Sequence, residues 1–157
     1  MADCCAVEAG PETGPLRCPR CDQSGRKVDP ITVKAVLRPK ALATLSGLGH
    51  RFCPTASCPI VYFADSEVFS TGDVSVPVFQ KEGVGQRTVC YCFRITESDL
   101  RREVEATGES TASQRVTAHV KAGRCACEIK NPQGSCCLGN LGAAVKPLLA
   151  EFQRVEA

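Results

Sequence analysis

Arg17-Cys18-Pro19-Arg20-Cys21 and, after 31 intervening residues, Cys53-Pro54-Thr55-Ala56-Ser57-Cys58 decide the reading of the first half of this chain. Each places two cysteines around a tight turn, and together the two turns offer four soft donors to one tetrahedral ion. Zn²⁺ accepts four thiolates readily and needs no redox chemistry to hold a fold together. A closed site of this kind is structural. The sequence therefore predicts zinc on Cys18, Cys21, Cys53 and Cys58, with rubredoxin-like iron and disulfides as the competing readings. His50, three residues before Cys53, is an alternative ligand, but the expectation for it is a surface or capping histidine.

Outward from this site, the composition fits a metal-stapled fold. The chain has 157 residues with 12 cysteines, no Trp, two Tyr and six Phe. A core this poor in aromatics calls for staples, and a reducing compartment disfavours disulfides. Met1 to Gly14 holds three acidic residues and no Lys or Arg. It lacks a secretion-signal pattern, and no window is long and apolar enough for a membrane span. A cytoplasmic protein is expected, with neither membrane nor nucleic acid as a partner, since no Lys/Arg run is present. Filling two thiolate sites would turn the formal charge of +2 into about −2.

The segments divide into a flexible arm at 1–15, a zinc-binding module at 16–80 and a second module at 87–152, with Lys81 to Gln86 as linker. Thr32 to Leu45 reads as a helix broken at Pro39. Arg51 to Cys53, Pro59 to Phe63, Val68 to Ser70 and Val74 to Phe79 read as short strands. Thr96, with Asp99 three residues on, predicts a capping box and a helix to Thr107, stopped by Gly108. Ser110 or Thr111 opens a second helix to Lys121. Asn131 to Gly134 is a turn, and Leu138 to Phe152 a helix bent or broken at Pro147. The fold class is α+β: a small zinc module of short strands and helices, then a mainly helical module.

The second cysteine set reads as a different chemistry, with a second zinc site as the competing reading. Cys90-x-Cys92 is not a zinc-finger spacing. On an extended backbone the pair points to one side and can hold one iron of a binuclear cluster. The second pair must come from Cys125, Cys127, Cys136 and Cys137. Cys136 and Cys137 are adjacent and diverge, so one of them ligates, and geometry does not choose between Cys125 and Cys127. The plant-type ferredoxin spacing is absent. Cys4-Cys5 on the arm can capture a soft ion or be a pair of exposed thiols without a role. Cys125 and Cys136 read as small buried side chains or labile thiols beside the cluster, and His119 as a helix residue.

The knuckles Cys18 to Cys21 and Cys53 to Cys58, together with Val61-Tyr62-Phe63, Val89-Cys90-Tyr91-Cys92 and Asn131-Pro132-Gln133-Gly134-Ser135-Cys136-Cys137, resemble the N-terminal region of CopZ-type copper chaperones. The second module resembles bacterioferritin-associated ferredoxin (BFD-like), a helix-turn-helix [2Fe–2S] domain. The resemblance implies zinc on Cys18, Cys21, Cys53 and Cys58, and a [2Fe–2S] cluster on Cys90, Cys92, Cys127 and Cys137. It implies one-electron transfer linked to copper or other heavy-metal handling, including reduction of Cu(II) to Cu(I). It also implies a separate heavy-metal-associated chaperone or transport ATPase and an electron donor as partners. The family carries a further heavy-metal-associated domain with its own Cys-x-x-Cys, which this sequence lacks, so copper delivery does not transfer. The rival expectations are a sequestration protein using spare thiols and a redox-sensing scaffold. No Ser/His/Asp constellation or phosphate loop marks a stand-alone enzyme.

Overall fold

The structure, a computed structural model, describes residues 17–156. It is mixed α+β, with a four-stranded antiparallel sheet in the first half and helices dominating the second. The sheet runs in the order β1 (Arg26–Lys27), β2 (Arg51–Phe52), β3 (Ile60–Phe63), β4 (Val68–Ser70). Phe52 pairs with Tyr62, and Phe63 with Val68. All four residues of β3 are buried. Val61 and Tyr62 belong to the main core with Val28, Val33, Val36, Phe52 and Phe69, while Ile60 and Phe63 pack among the first cysteines. A register irregularity between Ile60 and Tyr62 accompanies this division. Each fully buried aromatic or aliphatic side chain contributes about 1.5–3 kcal/mol.

Helix α1 (Pro30–Val36) begins two residues before the predicted Thr32, because Asp29 accepts from the Ile31 N–H at 3.0 Å and Pro30 suits the first helical turn. The break at Pro39 is observed: Leu37 is extended, and α2 (Pro39–Leu42) starts on the proline itself. The strand predicted over Val74 to Phe79 does not form. Val74 makes one isolated bridge to Leu37, and the chain then turns into a 3₁₀ segment at Phe79–Lys81. Pro77 within this stretch has no N–H to give a ladder.

Lys81 to Gln86, predicted as a linker, is tied down at its end. Glu97 accepts from the Gly85 N–H at 2.6 Å and the Arg87 N–H at 3.0 Å, and pairs with the Arg87 guanidinium. That guanidinium lies 4.2 Å from the centre of the Phe79 ring. Phe79 packs with the second core, alongside Val89, Leu100, Val116 and Leu141. The hairpin β5 (Thr88–Cys90) and β6 (Ile95–Thr96) leads into α3 (Glu97–Thr107), whose capping box joins Thr96 and Asp99. Gly108 ends α3 at φ 78°, donating to the Val104 carbonyl at 2.7 Å. Helix α4 (Ala112–Lys121) and the short α5 (Cys127–Lys130) follow. Helix α6 (Leu138–Glu156) passes through Pro147 as one element rather than two. It is held along its length by α3 and α4, and Arg101 of α3 pairs with Glu151 at 3.2 Å.

The two halves share a seam. Helices α1 and α5 pack together, and the Thr32 hydroxyl donates to the Glu128 carbonyl at 2.5 Å. The Tyr62 phenol donates to the Pro132 carbonyl. Gly134, at φ 71°, sits where a Cβ would come 3.0 Å from Val28 and 3.2 Å from Thr32, so both its backbone angle and its surroundings favour glycine. Among the described residues, no helix is long and apolar enough to cross a membrane.

Candidate metal centres

The first knuckle closes through local hydrogen bonds: the Cys18 N–H donates to the Gln23 carbonyl at 2.8 Å and the Asp22 N–H to the Cys18 carbonyl at 2.9 Å. Asp22 takes φ 59° to complete the turn. The second knuckle is the β2–β3 connection, where the Cys53 N–H bonds the Val61 carbonyl at 2.9 Å and the Cys58 N–H the Thr55 carbonyl at 3.2 Å. Pairing of β2 with β3 thus sets both ends of the second knuckle, and β1–β2 pairing sets it beside the first.

The result brings the four sulfurs within 4.8 Å of one another. Cys21 and Cys53 are 3.6 Å apart, and Cys18 and Cys58 are 3.9 Å apart. Zn–S bonds of about 2.3 Å around a tetrahedron require S···S edges near 3.8 Å. The donor set therefore fits a closed four-thiolate zinc. Cys18, Cys53 and Cys58 are buried and Cys21 is half-buried. The thiols titrate unequally. The Thr55 hydroxyl, 3.3 Å from the Cys21 sulfur, heads the interactions that lower Cys21 to about 6. Burial pushes Cys58 up to about 12 and also raises Cys18. Main-chain N–H groups of Arg20 and Cys21 face the Cys18 sulfur, and that of Ile60 faces Cys58. These amides favour thiolates, and a dication relieves their mutual repulsion.

His50 is not at the surface. It is 4% exposed, lies against Phe69 with ring centroids 5.7 Å apart, and has Nε2 3.5 Å from a Glu67 carboxylate oxygen. The four thiols gather without it. The sequence reading missed Thr55, although a hydroxyl two residues after a knuckle cysteine is a legible signal.

The second set gathers differently. Cys92 and Cys127 are 3.7 Å apart. Cys90 is lowered to about 6, first by a hydrogen bond from the Cys137 thiol, and the same contact is the leading cause that pushes Cys137 upward. Cys92 and Cys127 are thus in direct contact, while Cys90 and Cys137 are near enough to shift each other's titration. Cys90 and Cys92 each lie near a cysteine far along the chain. The strand ends at Cys90, and Tyr91 to Arg94 is a turn, with Arg94 at φ 54°, so the two side chains are not aligned on an extended backbone. Among the described residues, no three of these sulfurs lie within 4.8 Å of one another.

Helices place the distant partners. Cys127 is the first residue of α5, and Cys137 immediately precedes the 19-residue α6. Positive helix ends favour anionic sulfur. The Ala126 N–H lies 3.2 Å from the Cys92 sulfur, and the Cys137 N–H faces that of Cys127. The loop before Cys137 is braced by Gln133, which donates to Ser135 Oγ at 3.0 Å and accepts from Asn140 at 3.1 Å. Cys125 is half-buried against the second core, and Cys136 is exposed. His119 is on α4 as expected, stacked on Phe93 with centroids 4.1 Å apart. Cys4 and Cys5 lie outside the described residues.

Comparison with known proteins places this geometry. Residues 15–75 match the CopZ-type zinc-finger family, described as a zinc binding domain. The copper chaperone CopZ of Archaeoglobus fulgidus is 35% identical over 144 residues, covering 90% of this chain and 69% of that protein. The X-ray structure of the Archaeoglobus fulgidus CopZ N-terminal domain aligns with a TM-score of 0.67 at 35% identity, over 81% of this chain and 98% of that one. Zinc binding and metal handling follow from this kinship together with the four-cysteine cluster. The chain belongs to the CopZ family.

Proposed function

We propose that this protein handles copper or another soft metal through one-electron transfer, using two thiolate centres of different kinds. Cys18, Cys21, Cys53 and Cys58 hold a structural zinc within a module spanning 16–80. Cys90, Cys92, Cys127 and Cys137 hold a [2Fe–2S] cluster within a helical module at 87–152, similar to bacterioferritin-associated ferredoxin. The observation that supports the second assignment is the 3.7 Å contact of Cys92 with Cys127 while no three of the four sulfurs lie mutually within 4.8 Å. One tetrahedral ion asks for four sulfurs mutually close, as in the first site, whereas a binuclear core asks for two pairs.

When bound, such a cluster supplies one electron at a time. The chain's part is to hold the thiols as thiolates and to shield them. The amides of Ala126 and Cys137, the helix end at α6 and the burial of Cys90, Cys127 and Cys137 serve this. Copper handling is the role that the relative's name suggests.

Metal and sulfide analysis of anaerobically purified protein tests the reading. About one zinc, two irons and two acid-labile sulfides per chain are expected, with an EPR signal on reduction. Serine at Cys90, Cys92, Cys127 or Cys137 should remove iron and leave zinc. Two zincs and no sulfide would refute the cluster.

A further inference from the structure

The carboxylates and cations of the second half are unevenly matched. Away from the second cysteine set, Glu97 pairs with Arg87, Asp99 with Arg102, Glu103 with Arg115, and Glu105 and Glu151 with Arg101. Around Cys92 and Cys127 the balance differs. Arg94, Lys121, Arg124 and Lys130 are all exposed. Among the described residues none of these four has a salt-bridge partner, as is also true of Lys146 and Arg154 on α6, but these four are clustered in sequence about Cys92 and Cys127.

Their placement follows from the contacts that build the site. Arg94 ends the turn that carries Cys92, and Lys130 ends the short helix that Cys127 begins. Both line one cleft, together with Tyr91 and Ile129. On α4 and the loop after it, Arg124 donates to His119 Nδ1 at 2.9 Å, and His119 stacks on Phe93, the neighbour of Cys92. The nearby carboxylates are Glu128, exposed on α5, and Glu82, whose charge reaches Tyr91. Arg94 and Lys130 thus lie on one side of the segment that carries the half-buried Cys92, and Arg124 reaches it from α4 through His119 and Phe93.

We propose that this rim is the docking surface for an acidic protein that exchanges electrons with the second centre. It rests on the reading of that centre as a site of electron transfer. Uncompensated charge at a redox edge steers a partner of opposite sign and orients it with the edge facing inward. Four scattered cations interrupted by Glu128 are a poor match for a continuous phosphate backbone, which favours a protein over a nucleic acid.

The test uses the intact, metal-loaded protein and poly-L-glutamate as the acidic probe. Calorimetric titration should show binding at low ionic strength that fades as salt screens the charges. The double variant Arg94→Glu/Lys130→Glu should bind about tenfold more weakly or worse. Arg154→Glu should bind as the native protein does, since Arg154 lies about 25 Å along α6 from Cys137. Equal losses in both variants, or tighter binding of a single-stranded oligonucleotide, would overturn the proposal. A kinetic arm uses ferricyanide, an anion that takes one electron from the dithionite-reduced protein to become ferrocyanide. The double reversal should slow this reaction about tenfold at low salt and abolish its decline with salt. A changed midpoint potential with an unchanged salt dependence would mean that the cations only tune the centre, and would also overturn it. Iron and sulfide content of the same samples reports on the cluster itself, so its absence is distinguishable from failure of the docking surface.

Discussion

The phenol of Tyr62, on β3 beside the first metal site, donates to the carbonyl of Pro132, 70 residues later, in the loop that leads to Cys137. Tyr62 is fully buried, and burial pushes its ionisation far upward, so it remains a donor throughout the working pH range. Tyr62→Phe leaves the Pro132 carbonyl buried without this partner, at a cost of about 1–3 kcal/mol. Zinc content should be unchanged, while iron should be lost faster to a chelator. Equal iron-release rates in the variant and the native protein would sink the idea that β3 braces the second centre.

Thr55 is expected to tune the zinc without ligating it. Thr55→Val removes the hydroxyl beside Cys21 at nearly constant volume and should weaken zinc binding by about 10–100-fold. Competition with a chromogenic chelator measures this. Cys53→Ser should lower zinc from about one per chain to near zero and unfold the sheet. Cys136→Ser, at an exposed position, should change neither zinc nor iron.

His50 makes the first half sensitive to mild acid. Burial holds its pKa below the ordinary 6.5 despite the Glu67 carboxylate nearby. Between the depressed folded value and 6.5 the unfolded chain binds more protons than the folded one. The stabilisation is therefore complete above 6.5 and is lost as pH falls through that window. The urea midpoint of native protein should fall more steeply from about pH 7 to about pH 5 than that of His50→Gln. Parallel slopes would contradict this, and the comparison cancels acid-driven zinc loss common to both.

Glu97 anchors the connection between the halves. Its side chain is 6% exposed and that of Arg87 16%. Glu97→Ala strands a cation and releases two main-chain N–H groups, for a loss of about 3–5 kcal/mol by denaturant unfolding. A loss below about 1 kcal/mol would show that water replaces the carboxylate without penalty.

Much of this was legible because local chemistry dictates it. The two zinc knuckles, the break at Pro39 and the Thr96–Asp99 capping box each depend on residues a few positions apart, and each appears in the structure. What failed depended on partners far along the chain. His50 looked like a surface residue because nothing near it in sequence announces Phe69 and Glu67. The extended backbone expected through Cys90 and Cys92 is half strand and half turn, because an x-Cys-x-Cys-x segment is compatible with either. The positive φ at Arg94, not the residue spacing, decides between them. Val74 to Phe79 had strand-like residues, but Pro77 and the end of α1 left it a single bridge. Pro147 stays inside α6 because contacts with α3 and α4 outweigh a local preference.

The position of Gly134 bears on how such a molecule can be re-engineered. Its bare α-carbon fits against Val28 and Thr32 of the opposite half, next to the Tyr62 and Thr32 hydrogen bonds. A designer cutting between residues 81 and 87 to obtain two portable cassettes would expose this seam on both fragments. Each piece would carry its own thiols but present a raw apolar face, the first with the orphaned Thr32 and Tyr62 hydroxyls and the second with the orphaned Glu128 and Pro132 carbonyls. Grafting therefore succeeds only if the recipient scaffold supplies a surrogate for the lost half, and shuffling of these segments among relatives should be tolerated in matched pairs rather than singly.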